Sequence, residues 1–130
     1  MKRIRQKVKM MKHKKEKKEY ILFHNARCSK SRACLKIIQK KSITFKELHY
    51  LKEGLDLSIL KNIINKLVNP LADIIRTNEK DFKSNAFDIN NKKLVISFLN
   101  KHPICMQRPL FFNGTNYIIC RPPETVLEFL

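Results

Sequence analysis

The first apolar run, Tyr20-Ile21-Leu22-Phe23, is four residues long and suits a buried strand. Leu35, Ile37 and Ile38 follow with the spacing of a helix face. Ile43 to Tyr50, rich in β-branched and aromatic residues, predicts a second strand. Strand, helix and strand make a βαβ unit, so the two strands are expected to be parallel with a right-handed crossover. After Gly54, the positions Leu57, Leu60, Ile64 and Leu67 predict a helix capped by Asp56 or Ser58 and ending near Asn69-Pro70. Leu71, Ile74 and Ile75 suit a short helix, and Asn78 to Asp88 a further turn or two. Leu94, Val95, Phe98 and Leu99 mark another helix, stopped by His102-Pro103.

The last third changes character. Pro109 to Phe112 and Thr115 to Cys120 are strand-like runs around Asn113-Gly114, a strong hairpin signal. Arg121-Pro122-Pro123-Glu124 then opens a helix with Val126, Leu127 and Leu130 as its packing face. The order β-α-β, helices, β-β-α is that of an α/β, thioredoxin-like fold. It predicts a four-stranded mixed sheet with a helical insertion between the βαβ and ββα halves.

Composition changes this picture at the N-terminus. The chain has 130 residues, 43% of them hydrophobic, which is enough for one domain with a real core. Its net charge of +17 suggests nucleic acid until it is divided: residues 1–19 carry +8 and the remainder +9. The segment 1–19 is nearly devoid of apolar residues and is expected to be a disordered basic tail, outside the domain at 20–130, with non-specific affinity for acidic partners. It lacks the apolar core of a secretory signal and has no serine, which argues against an organellar transit peptide. No run approaches the roughly 18 apolar residues of a membrane span, so a cytoplasmic protein is expected.

Candidate chemistry centres on Cys28, placed where the first strand meets the first helix. A helix N-terminus favours the thiolate, the nucleophilic form. The dipole supplies only about 0.3–1 kcal/mol, whereas one pKa unit takes about 1.4 kcal/mol. Cations must add to it, and Arg27, Lys30 and Arg32 are near in sequence. The cysteines Cys28, Cys34, Cys105 and Cys120 form no framework. Cys28 and Cys34 on one helix stand about 9 Å apart along its axis, beyond the roughly 7 Å reach of a disulfide. Ser31 occupies the position three after Cys28, which removes both a zinc knuckle and a self-closing dithiol. Single-thiol chemistry remains, with no metal expected. His24 suits a hydrogen bond to the adjoining loop better than a role as base or ligand.

Arginine usage adds a second set of candidates. The chain has 21 Lys and seven Arg, and outside the tail the arginines are Arg27, Arg32, Arg76, Arg108 and Arg121. A guanidinium fork binds a tetrahedral oxyanion through two N–H groups at once, which lysine cannot do. Arg108 and Arg121 each precede a proline, which restricts their backbones.

Taken together, four separated motifs carry a resemblance. They are His24-Asn25-x-x-Cys28-x-x-Ser31-Arg32, Ile75-Arg76-x-Asn78, Arg108-Pro109, and Cys120-Arg121-Pro122-Pro123-Glu124-x-Val126-Leu127. Over residues 20–130 the chain resembles the glutaredoxin-coupled arsenate reductases and their close relatives. The resemblance implies reduction of arsenate to arsenite. It assigns Cys28 as nucleophile, Arg76, Arg108 and Arg121 as oxyanion ligands, and Pro109 as the cis-proline beside the active cysteine, with His24, Asn25, Ser31 and Arg32 in support. It also implies that no cofactor is bound, that glutathione is the co-substrate and that glutaredoxin is the protein partner. Two other classes compete. A regulator of the same fold that binds RNA polymerase needs a Cys-x-x-Cys switch, which Ser31 removes. A nucleic-acid binder needs a basic stripe interleaved with aromatics, which the domain lacks.

Overall fold

A computed structural model describes residues 19–130, and the expected tail therefore lies, apart from Glu19, outside the described residues. Strand β1 (Tyr20–Phe23) leads through a turn into helix α1 (Ser29–Lys40) and strand β2 (Phe45–Leu48). Helices α2 (Tyr50–Glu53) and α3 (Leu57–Lys66), a 3-10 turn (Leu71–Ile74), α4 (Lys80–Ser84) and α5 (Lys92–Lys101) form the insertion. A 3-10 turn (Pro103–Cys105), strands β3 (Leu110–Phe112) and β4 (Tyr117–Ile119) and a 3-10 helix (Pro123–Phe129) complete the chain.

The sheet order is β2-β1-β3-β4. β1 runs parallel to β2, with Tyr20 opposite Phe45, and antiparallel to β3, with Leu22 opposite Phe111. β3 and β4 are antiparallel, with Leu110 opposite Ile119. This is the mixed four-stranded sheet that the element order implies. Alternation along the strands sorts the core into two layers. Phe23, Leu110, Tyr117 and Ile119 pack with Leu60, Ile63, Val95 and Leu99 of α3 and α5. Leu22, Phe111 and Ile118 face the other way, onto Cys34 and Ile38 of α1 and Val126 of the C-terminal helix.

Local rules explain most boundaries. Asp56 caps α3 by accepting from the Ile59 N–H at 2.7 Å, and Asn91 caps α5 by accepting from the Leu94 N–H at 3.1 Å. In the hairpin, Asn113 Oδ1 accepts from the N–H groups of Thr115 and Asn116, while Gly114 takes a φ of +93°. The loop thus uses four residues, Asn113 to Asn116, rather than the two of a minimal turn.

Three expectations are corrected. The second strand stops at Leu48, because its partner β1 ends at Phe23; the His49 N–H turns to Glu53 Oε2 at 3.2 Å instead, and Tyr50 opens a helix. On α1 the fully buried positions are Ser31, Cys34 and Ile38, so Leu35 and Ile37 flank the packed face rather than define it. The C-terminal segment is a 3-10 helix, whose three residues per turn put Pro123, Val126 and Phe129 on one side and leave Leu127 45% exposed. Among the described residues no helix is long and apolar enough to cross a membrane.

Candidate active site

The turn between β1 and α1 is stitched from within. The Cys28 N–H donates to the Asn25 carbonyl at 2.9 Å, and Asn25 Oδ1 accepts from the Arg27 N–H at 3.1 Å. Ser31, fully buried one turn into the helix, accepts from the Asn25 N–H at 3.1 Å, and its Oγ lies 2.8 Å from His24 Nδ1. The Ser31 hydroxyl can donate to Nδ1 or accept from it while still accepting from the amide, so the contact joins His24 to the loop in either tautomer. Burial, aided by the nearby charges of His49 and Arg32 and opposed by Glu47, lowers the His24 pKa from its ordinary value. His24 therefore does what its position predicts: it ties the strand end to the loop.

Cys28 is the N-cap of α1, with φ −92° and ψ 121°, and is half-buried. Burial works to raise its thiol pKa, but the amides of Ser31 and Lys30 and the guanidinium of Arg108 outweigh it, and the net shift is downward. No N–H closes a fully formed capping bond on the sulfur, so the amides act mainly through their aligned dipoles. The cationic support comes from Arg108, eighty residues away in sequence, and not from Arg27 or Arg32. Those two are exposed, and Arg32 donates to the Ala26 carbonyl at 2.8 Å, bracing the loop. The other thiols are buried. Burial pushes Cys105 up, and contact with Cys34, together with burial, pushes Cys120 well up.

The arginines are fixed by the sheet. Arg108 stands just before β3 and Arg121 just after β4, so antiparallel pairing of Leu110 with Ile119 brings them together. Arg121 donates to the Arg108 carbonyl at 2.8 Å, and Arg108 donates to the Ile104 carbonyl at 3.0 Å. The peptide bonds Arg108–Pro109 and Arg121–Pro122 are both cis. Arg76 is joined to this group by a bridge between Ile75 and Met106, and its guanidinium holds Gln107 Oε1 at 2.9 Å and Glu79 Oε1 at 3.2 Å. An open depression of about 500 Å3 adjoins them, lined in part by Asn69, Thr77, Gln107 and Arg121. Among the described residues no three His, Cys, Asp or Glu side chains converge as metal ligands.

A half-buried cysteine with a lowered pKa, at a helix N-terminus and facing a partly buried arginine, can act as a nucleophile toward an anion. The model of the ArsC family matches residues 23–129, which takes in this whole arrangement. The chain belongs to the ArsC family. It is 33% identical to the arsenate reductase of Haemophilus influenzae over 114 residues, covering 85% of this chain and 97% of that one. It is 32% identical to the arsenate reductase of Neisseria meningitidis, covering 83% and 95%. The solved arsenate reductase of Vibrio cholerae superposes with a TM-score of 0.78 at 26% identity, covering 87% of this chain and 98% of that one. The thioredoxin-like architecture and the family expected from the motifs are thus both found.

This ArsC-family site also contains residues the motifs did not mark. Gln107 and Glu79 hold Arg76, and Tyr50 lies close enough for the charges of Arg108, Cys28 and Arg76 to act on its hydroxyl. Tyr50 carried a signal only as an aromatic residue at the end of a strand-like run, which says nothing about its oxygen.

Proposed function

We propose that this protein is an arsenate reductase. The observation that carries the reading is the pairing of Cys28, an N-cap thiol with a lowered pKa, with Arg108, whose guanidinium favours the thiolate. Family membership and the names of its relatives support the choice of arsenate.

In the reaction, the Cys28 thiolate attacks arsenic and a protonated arsenate oxygen leaves as water. Attack of one anion on another needs the substrate's charge to be neutralised where it develops, which is the role proposed for Arg76, Arg108 and Arg121. Reducing As(V) to As(III) takes two electrons. Since no second cysteine stands three residues from Cys28, external thiols supply them. Glutathione condenses onto the arsenic of the adduct and releases water. A glutaredoxin thiolate then attacks the glutathione sulfur, and the electrons of the S–As bond stay on arsenic as a mixed disulfide forms. Hydrolysis of the remaining S–As bond frees arsenite and regenerates Cys28. The setting proposed for this chemistry is the cytoplasm, where thiols are kept reduced.

The test is a coupled assay with arsenate, glutathione, glutaredoxin and a reductant for the disulfide formed. Arsenite should appear with wild-type protein and disappear when arsenate, either thiol or Cys28 is withheld. A wild-type protein that makes no arsenite under these conditions overturns the proposal.

A further inference from the structure

Tyr50 is fully buried, at 0% exposure, and opens α2 immediately after β2. Its ring belongs to the core layer that also holds Phe23, Met106 and Leu110. Among the described residues, two buried side-chain polar atoms lack a hydrogen-bond partner: the hydroxyl of Tyr50 and Nε of Arg108. Buried polar groups are nearly always satisfied, so two in one neighbourhood need a reason. They do share a neighbourhood, because the charges of Arg108, Cys28 and Arg76 all act on the Tyr50 oxygen. The phenol oxygen can accept from the Arg108 guanidinium beside it, but the phenol's own proton then still needs an acceptor, and one placed between Tyr50, Arg108 and Cys28 would supply it.

Resting on the oxyanion site proposed above, we infer that the Tyr50 hydroxyl is a further, uncharged ligand of that site, donating alongside Arg108 Nε to an oxygen of the tetrahedral anion held at Cys28. A phenol suits this place. It adds a directed donor without adding positive charge to a site already rich in arginine. Burial pushes the Tyr50 pKa up to about 12, so the oxygen keeps its proton throughout the range in which the thiolate works. The ring's packing fixes the direction of the O–H in a way that a solvent-exposed serine could not match.

The test is Tyr50→Phe, which removes only the oxygen. Sulfate binding, read from the rise in thermal midpoint with sulfate concentration, should weaken about tenfold, and KM for arsenate should rise by a similar factor. Without anion the variant should unfold at the wild-type temperature or above it, because an unpartnered hydroxyl has gone. A folded variant with sulfate affinity within about twofold of wild type overturns the inference. A readout on the unaltered protein guards against a variant that fails to fold. In protein with isotopically labelled tyrosine rings, sulfate should move one of the three phenol-carbon signals and leave two in place, the mobile signal being the one that persists in Tyr20→Phe and Tyr117→Phe. No moving signal also overturns it. The two readings fail separately. Tyr50-dependent sulfate binding without arsenate reduction retires arsenate and keeps Tyr50, whereas arsenate reduction with unchanged affinity in Tyr50→Phe does the reverse.

Discussion

Arg121 donates to the backbone carbonyl of Arg108 at 2.8 Å, so the two guanidinium-bearing residues that flank the β3–β4 hairpin are locked to one another. One N–H group of each fork is spent on backbone, on Arg108 and on Ile104 respectively, and the others are left to bind. A lysine ammonium has three donors on one nitrogen but no planar fork, so it cannot hold the carbonyl and grip an anion at two points in the same geometry. Arg108→Lys and Arg121→Lys should therefore each weaken sulfate and arsenate affinity about tenfold despite conserving charge, the size of one charge-assisted hydrogen bond. Unchanged affinity in both variants, measured by calorimetry, would remove these arginines from the site.

Cys28 differs from the other thiols in position as well as pKa. Cys34, Cys105 and Cys120 are completely buried, and Cys105 and Cys120 are pushed toward the neutral thiol. Cys28→Ser should abolish arsenite formation, while Cys34→Ser and Cys105→Ser should keep most of it, losing stability because a hydroxyl replaces a buried sulfur. Activity surviving in Cys28→Ser would refute its role as nucleophile.

The parts of this site legible in the sequence are those set by short-range rules. Tyr20 to Phe23 followed by a helix was enough to put Cys28 at an N-terminus, and Asn113-Gly114 was enough to find the hairpin that carries Arg108 and Arg121. Range is what hid the rest. Arg27 and Arg32 are neighbours of Cys28 in sequence, but a side chain one turn along a helix can point to solvent. Arg108 reaches the sulfur because β3 pairs with β1. The extent of β2 depends on where β1 ends, so the strand-like run that reaches Tyr50 in the sequence stops at Leu48 in the sheet. At the C-terminus a spacing of 123, 126, 129 signalled three residues per turn, and the sequence admits a 3.6-residue reading that brings Leu127 inward instead.

Ser31 links the turn to His24, and removing its oxygen strands two buried groups at once, the Asn25 N–H and His24 Nδ1. Ser31→Ala should cost roughly 1–3 kcal/mol of stability, visible as a lower urea midpoint without a change in slope. It should also impair arsenite formation, since the loop that presents Cys28 loses its internal brace. A variant as stable and active as wild type would show that the turn holds itself without Ser31.

His24 gives stability a dependence on pH. Its folded pKa lies below the ordinary value of 6.5, so the unfolded chain takes up the proton first as pH falls. The contribution is present in full above 6.5 and is lost as pH drops from there through the lowered folded value. His24→Asn, neutral at every pH, should flatten this part of the curve. Urea midpoints measured from neutrality down to about pH 5 test it, and parallel curves for the two proteins would exclude His24 as the source.

The Cys28 thiolate has the same sign and an independent probe. Its folded pKa lies below the ordinary 9.0, so the thiolate persists to lower pH than in an unfolded chain, and its stabilising contribution disappears as pH falls through the folded value. Of the groups responsible, the Ser31 and Lys30 amides belong to the helix and survive any side-chain change, while Arg108 can be removed. Arg108→Met should leave the amides in place and raise the Cys28 pKa only part of the way back. The pH profile of iodoacetamide alkylation should accordingly shift upward, since alkylation follows the thiolate fraction. A profile that does not move would assign the lowered pKa to the helix alone and remove Arg108 as the cationic support of the thiolate.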